Sequence, residues 1–279
     1  MTEHKDWADI LLRGRYLASD DIILMLDLAV RMGRPLLLEG PSGSGKTALA
    51  NALAQGLYRP MIRLSCYEGI GSAEALYDWN YHAQWARLTQ NKDSDPFSEE
   101  FLLARPLLKA LQEPQSILLI DEVDRADEAF EALMLEYLSE FQISIPERGT
   151  IRAASAPLTL ITSNRQRPLS DALRRRCLYL FLDWPTKAQE EEIVRFHVPE
   201  LPADLVERLV QTIRILRSWN LLKAPGLAES IDWARGAVLM GISQWDRKWI
   251  QKSLGLVVKD ALDRERVLAR IAELAKADT

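Results

Sequence analysis

Residues 35–57 read PLLLEGPSGSGKTALANALAQGL, and no other stretch narrows the choice of fold as much. The run 35–40 is short, apolar, entered by a proline and closed by a glycine, the pattern of a fully buried parallel strand. Gly40, Pro41, Ser42, Gly43, Ser44, Gly45, Lys46 and Thr47 then match GxxxxGK[ST] in full. Residues 47–57 have helical spacing. The order is strand, glycine-rich loop, helix. The glycines let the backbone curl so that its N–H groups face phosphate oxygens. Lys46 can reach the β- and γ-phosphates of ATP, and the Thr47 hydroxyl can serve Mg²⁺. The helix that starts there directs its positive end at the same anion. A surface loop with an incidental lysine has no reason to sit between a buried strand and a helix.

Four more apolar runs read as strands: 61–64, 116–122, 157–164 and 177–183. Helical stretches at 19–33, 106–112, 127–138 and 169–175 punctuate them. Five parallel-type strands with helical crossovers predict a three-layer α/β domain, the P-loop NTPase architecture, over residues 1–185. Residues 141–153 alternate on either side of PERG and predict a hairpin. Beyond residue 185 the strand signals stop. Thr186 and Gln189 form a capping box for 187–197, and 203–218, 230–241, 246–253 and 259–276 are periodic, which predicts a small all-helical domain over 186–279. The polar stretch 91–96 reads as an exposed loop.

The chain has 279 residues, with 35 basic and 40 acidic groups and a net charge of -5. That balance argues against nonspecific coating of nucleic acid. Cys66 and Cys177 sit in apolar surroundings and read as reduced core residues. No run reaches the roughly 18 apolar residues of a membrane span, and the first residues lack the pattern of a signal peptide. A cytoplasmic protein is expected. His4, His82 and His197 are scattered and give no transition-metal pattern.

ILLIDEVDRA, 117–126, ends a buried strand in two acids, 75 residues beyond Lys46. Asp121 can hold the Mg²⁺ shell with Thr47, and Glu122 can orient or deprotonate the attacking water. Paired acids favour hydrolysis over transfer to a small acceptor. Asn164 ends the next strand, where its amide can contact the γ-phosphate or the water. Arg174, Arg175 and Arg176 are consecutive, so their side chains point in different directions and at least one cannot face its own site. An arginine finger offered to a neighbouring subunit is one use; a solvated face is the other. The aromatic set Tyr67, Tyr77, Trp79, Tyr81 and Trp85 favours packing over binding, and Trp184, Trp219 and Trp233 read as core or interdomain contacts.

Residues 36–47, 63–81, 118–151, 160–180 and 224–236 together resemble the MoxR family of AAA+ ATPases. Within it they are similar to the CoxD-type branch encoded beside von Willebrand factor A (VWA) proteins and associated with carbon monoxide dehydrogenase maturation. CYEG, LYDWNY and ALRRRC are the specific segments; the phosphate loop is generic. The resemblance implies a hexameric ring with ATP between subunits, Lys46 and Thr47 as Walker A, Asp121 and Glu122 as Walker B, Asn164 as sensor 1, and an arginine finger at Arg176 or Arg175. It further implies that 66–90 is an insert in the second helix and that this insert and the 141–153 hairpin touch a substrate or partner. The implied function is Mg²⁺-dependent ATP hydrolysis that remodels a client, a metalloenzyme or its cofactor machinery, through a VWA-domain partner. Where relatives carry a sensor 2 arginine this chain has Glu229; Arg235, later on that helix, is the alternative. Two other functions are weighed: a nucleotide-gated scaffold in which hydrolysis is incidental, and a ring motor on nucleic acid. The acidic total and the lack of a recognition module count against the latter.

Overall fold

A computed structural model describes residues 6–90 and 95–271. It divides into two compact units, Met1–Gly40 with Lys46–Leu182, and Pro41–Gly45 with Asp183–Thr279.

The first unit is built on β1 (Leu36–Glu39), β2 (Met61–Ser65), β3 (Ile117–Asp121), β4 (Leu158–Ser163) and β5 (Leu178–Phe181). All pairings are parallel, in the order β2-β3-β4-β1-β5. Side chains alternate between the two faces of a strand, so β1 and β3 feed two separate cores. Leu37, Leu118 and Ile120 pack on one face with Leu107 and Met134. Leu36, Leu38, Ile117 and Leu119 pack on the other with Leu26, Leu49 and Leu53. That alternation is the physical origin of the three layers. Because every strand runs the same way, Glu39, Asp121 and Ser163 all arrive at one sheet edge, the carboxyl edge where open α/β sheets place ligands.

Helix Asp20–Met32 ends at Gly33 in the left-handed region, φ 60°. Helix Lys46–Leu57 follows the phosphate loop, and Pro106 opens helix Pro106–Gln112. Helix Glu128–Glu140 stops at Phe141, φ 48°, which turns the chain into the expected hairpin of Gln142–Ile145 with Gly149–Arg152. The 66–90 segment holds a short helix Ser72–Ala75, strand Tyr77–Trp79 and helix Tyr81–Gln90. Its strand pairs antiparallel with Leu102–Ala104, a pairing that three-residue strands do not announce in sequence. Of the loop expected at 91–96, residues 91–94 lie outside the described residues. The packing expectation for the aromatic set divides. Trp79 is buried, edge-on to Tyr77 and Phe97. Tyr67, Tyr81 and Trp85 are exposed, Trp85 by 74%.

The second unit carries helices Lys187–His197, Ala203–Ser218, Leu227–Leu239, Arg247–Ser253 and Ala261–Ala269. Thr186 and Gln189 do form a capping box. Helix Leu227–Leu239 starts three residues before its apolar periodicity suggests, because the Gly226 N–H donates to the Glu229 carboxylate at 2.9 Å. The last helix, expected over 259–276, is Ala261–Ala269; residues 272–276 of that expectation lie outside the described residues. Its core contains Trp233 and Trp245, ring centroids 4.8 Å apart. Glu190 is fully buried and answered by a bidentate Arg217 pair at 2.7 and 2.8 Å and by the Ser230 hydroxyl at 2.8 Å. Arg217 also lies over the Trp184 ring.

Both cysteines are buried and free, as expected, and burial pushes each thiol up to about 12. Among the described residues no helix is long and apolar enough to cross a membrane.

Candidate nucleotide-hydrolysis site

The phosphate loop bends through backbone conformations that L side chains rarely adopt, with φ 79° at Gly43 and 100° at Gly45. In the loop, the Ser44 hydroxyl is buried and has no hydrogen-bond partner. A buried polar atom left this way costs free energy until a ligand satisfies it. The Gly43 carbonyl accepts from Leu227 N–H at 3.0 Å, and a Cβ on Gly43 would lie 2.7 Å from the Gly226 Cα. Gly43 is therefore required by close approach as well as by conformation.

Lys46 begins the following helix, is 6% exposed, and donates to the Gly40 carbonyl at 2.9 Å. Burial holds its ammonium below the ordinary lysine range, while Asp124, Asp121 and Glu122 act in the opposite direction. The next residue, Thr47, donates from its hydroxyl to Asp121 Oδ1 at 3.1 Å.

Asp121, at the end of β3, is 3% exposed. Its Oδ1 also accepts from the Thr162 hydroxyl at 2.6 Å, and its Oδ2 is paired with Arg63 of β2. Thr162 oxygen in turn accepts from Glu122 N–H at 2.8 Å, so one β4 hydroxyl ties both acids together. Glu122 stands at φ 56°, a strained conformation for a residue with a side chain. Its Oε1 accepts from the Asn164 amide at 3.0 Å and its Oε2 from Arg125 at 2.8 Å. Asp124, also buried, accepts from the N–H groups of Asn164 and Gln166 at 3.1 and 2.8 Å, which fixes the turn carrying Asn164. Asp121, Glu122 and Asn164 are thus brought together with Thr47. Thr162, Asp124, Arg63 and Arg125 join them from contacts that strand register creates and sequence spacing does not reveal.

The three consecutive arginines separate. Arg174 donates to the buried Glu39 at 2.8 Å and is occupied inside its own chain. Arg175 and Arg176 are exposed and have no side-chain partner among the described residues. Their backbone carbonyls accept from Arg34, which also reaches Cys177 O at 3.1 Å and so closes the end of helix Asp171–Arg176. Arg235 is paired with Asp232 on its own helix at 3.5 Å and is exposed, while Glu229 caps Gly226.

The donors suit ATP and Mg²⁺. A buried ammonium and an unsatisfied loop hydroxyl match phosphate oxygens, and a threonine hydroxyl beside a carboxylate matches a hard, oxygen-ligated cation.

A strand, a glycine loop, a buried lysine and an acid pair at the carboxyl edge define a P-loop nucleoside triphosphatase. Residues 36–182 match the family described as "ATPase family associated with various cellular activities (AAA)", and the chain belongs to it. It is an ATPase. The chain is 27% identical over 203 residues to the gas vesicle ATPase GvpN of Haloferax mediterranei, covering 67% of this chain and 57% of that protein. It is 26% identical over 208 residues to the denitrification regulatory protein NirQ of Pseudomonas aeruginosa, covering 72% and 74%. The chain spans a little over half the length of the gas vesicle relatives it matches. Among solved structures a mutant RuvB of Thermotoga maritima aligns with TM-score 0.50 and 21% identity over 87% of this chain and 69% of that one, a likeness of fold.

Proposed function

We propose that this chain is a ring-forming, Mg²⁺-dependent ATPase that remodels or matures a partner protein. The observation that carries the reading is the pairing of an interlocked acidic edge with two arginines whose side chains have no partner among the described residues. Asp121, Glu122 and Asn164 interlock with Thr47, whereas Arg175 and Arg176 stand exposed without side-chain partners among the described residues.

In the proposed reaction Glu122 accepts a proton from water as the water oxygen bonds to the γ-phosphorus. The bond from that phosphorus to the β,γ-bridging oxygen breaks, and ADP and phosphate leave. Asn164 holds the carboxylate and the attacking water in line. Lys46 and the loop N–H groups neutralise charge on the β- and γ-oxygens, and Arg175 or Arg176 of a neighbouring copy completes that neutralisation. Thr47 and Asp121 hold Mg²⁺, which when bound supplies Lewis-acid charge neutralisation at the same oxygens.

The resemblance of 63–81 and 118–151 to the MoxR pattern supports a client that is a metalloenzyme or its cofactor machinery, reached through a VWA-domain partner. Relatives named for gas vesicles and for denitrification support a family whose ATPases serve different cellular systems.

Steady-state hydrolysis with Mg²⁺ over about a hundredfold range of protein concentration tests the ring. Specific activity should climb and level off, and Arg175→Ala with Arg176→Ala should remove the plateau. A flat profile at every concentration, with a monomer on sizing, sinks the shared site.

A further inference from the structure

A cavity of about 550 Å³ in the first unit is lined by Arg34, Arg152, Arg175 and Arg176, with Glu140 as its one acid. Helices Asp20–Met32, Glu128–Glu140 and Asp171–Arg176 all end at this place, so their carbonyl ends favour cations there. Arg34 is consumed by that role, since its guanidinium donates to three carbonyls. Arg175 and Arg176 are not consumed. Arg152 is the intermediate case: it is paired with Glu140 at 3.3 Å, and both side chains are more than half exposed. An exposed ion pair of this kind is weak and exchangeable.

Arg152 also occupies a particular place in the chain. It is the last residue of the hairpin strand Gly149–Arg152, opposite Gln142. Ala153 N–H donates to the Phe141 carbonyl at 3.0 Å and closes the hairpin base, and Phe141 lines the cavity. A displacement of the hairpin therefore acts on Arg152 directly.

We propose that this cavity receives a phosphate-type oxyanion and that Arg152 is its third arginine, held in reserve by Glu140 and handed to the anion when that pair opens. The proposal rests on reading Arg175 and Arg176 as cations offered outside their own chain. The oxyanion has two sources, the nucleotide bound by a neighbouring copy or free polyphosphate in solution. Arg152 touches the anion itself and so links the hairpin to it.

The test compares the full-length protein with Glu140→Gln, Arg152→Ala and the double variant, all at exposed positions. Specific ATPase activity is measured against protein concentration. Glu140→Gln should lower the half-activating concentration about two- to fivefold, the span of one exposed ion pair, and Arg152→Ala should raise it by a similar factor. In the Arg152→Ala background, Glu140→Gln should do nothing. An unchanged Glu140→Gln curve, or a Glu140→Gln effect that survives loss of Arg152, overturns the proposal. If the unsubstituted protein shows no dependence on concentration and sizes as a monomer, the ring reading fails, and calorimetric titration with tripolyphosphate in a Lys46→Ala background decides the inference separately. Binding tightened by Glu140→Gln and lost with Arg152→Ala supports a cavity filled from solution. No binding, or binding indifferent to both changes, overturns it.

Discussion

The hydrolytic edge and the 66–90 segment of the first unit treat their side chains in opposite ways. At the edge, Lys46, Asp121 and Asp124 are buried charges, each with bonded partners. In the 66–90 segment, Tyr67, Tyr81 and Trp85 are large aromatic groups left in water. Burying a charge is costly unless it is paired and hydrogen-bonded, so the edge persists only as a complete network, and that completeness suits charge stabilisation. Exposed as they are, Tyr67, Tyr81 and Trp85 bring the segment around 67–85 little core stability. Arg148 of the hairpin turn donates to the Phe97 carbonyl at 3.2 Å, and the Phe97 ring packs edge-on to Trp79 of that segment. The comparison teaches that the buried polar network and the exposed aromatics belong to different parts of one unit.

The largest way to test that separation is Glu122→Gln. Hydrolysis should fall by about 10² to 10⁴, the usual contribution of a general base, while ATP affinity in a fluorescent-nucleotide assay is retained. Comparable losses of binding and turnover would mean that Glu122 serves the network and not the water. Next in size is the contrast between two tryptophans six residues apart. Trp79→Ala should cost about 3–5 kcal/mol in urea denaturation, as for a buried aromatic. Trp85→Ala should stay within about 0.5 kcal/mol and keep basal ATPase, yet abolish any stimulation by a partner protein. If Trp85→Ala destabilises as Trp79→Ala does, the exposed aromatics are structural after all.

Much of the edge is legible in sequence because it depends on local punctuation. The strand-loop-helix order at 35–57 and the acids closing β3 need only neighbours in the chain. Thr162, Asp124 and Arg63 are illegible because their contacts cross 40 or more residues and follow from which strands lie side by side. Three adjacent arginines look alike on paper; the helix Asp171–Arg176 turns Arg174 toward Glu39 and leaves the other two outside. The aromatic segment gives only a composition, and its three-residue strand and the division between buried Trp79 and exposed Trp85 depend on pairing with Leu102–Ala104.

The smallest expected effect uses the cysteines, because Cys66 lies beside the acidic edge and Cys177 does not. Burial raises both thiols to about 12; Asp121, Asp124 and Glu122 add to the rise at Cys66, while Arg34 opposes it at Cys177. The unfolded thiol ionises near its ordinary value of 9.0. Above that pH the folded state binds more protons than the unfolded one, so stability falls as pH rises from about 9 toward about 12. Between about pH 8 and about pH 10 each thiol should remove about 1.4 kcal/mol. Urea midpoints of the unsubstituted protein, Cys66→Ala and Cys177→Ala at those two pH values separate the contributions, each variant losing its own share of the slope. Asp121→Asn should then ease the burden on Cys66 alone, so that the thiol reacts faster with a small alkylating agent at about pH 10 while Cys177 is unchanged. Equal acceleration at both thiols would mean that the substitution loosens the whole unit and that the edge exerts no local field.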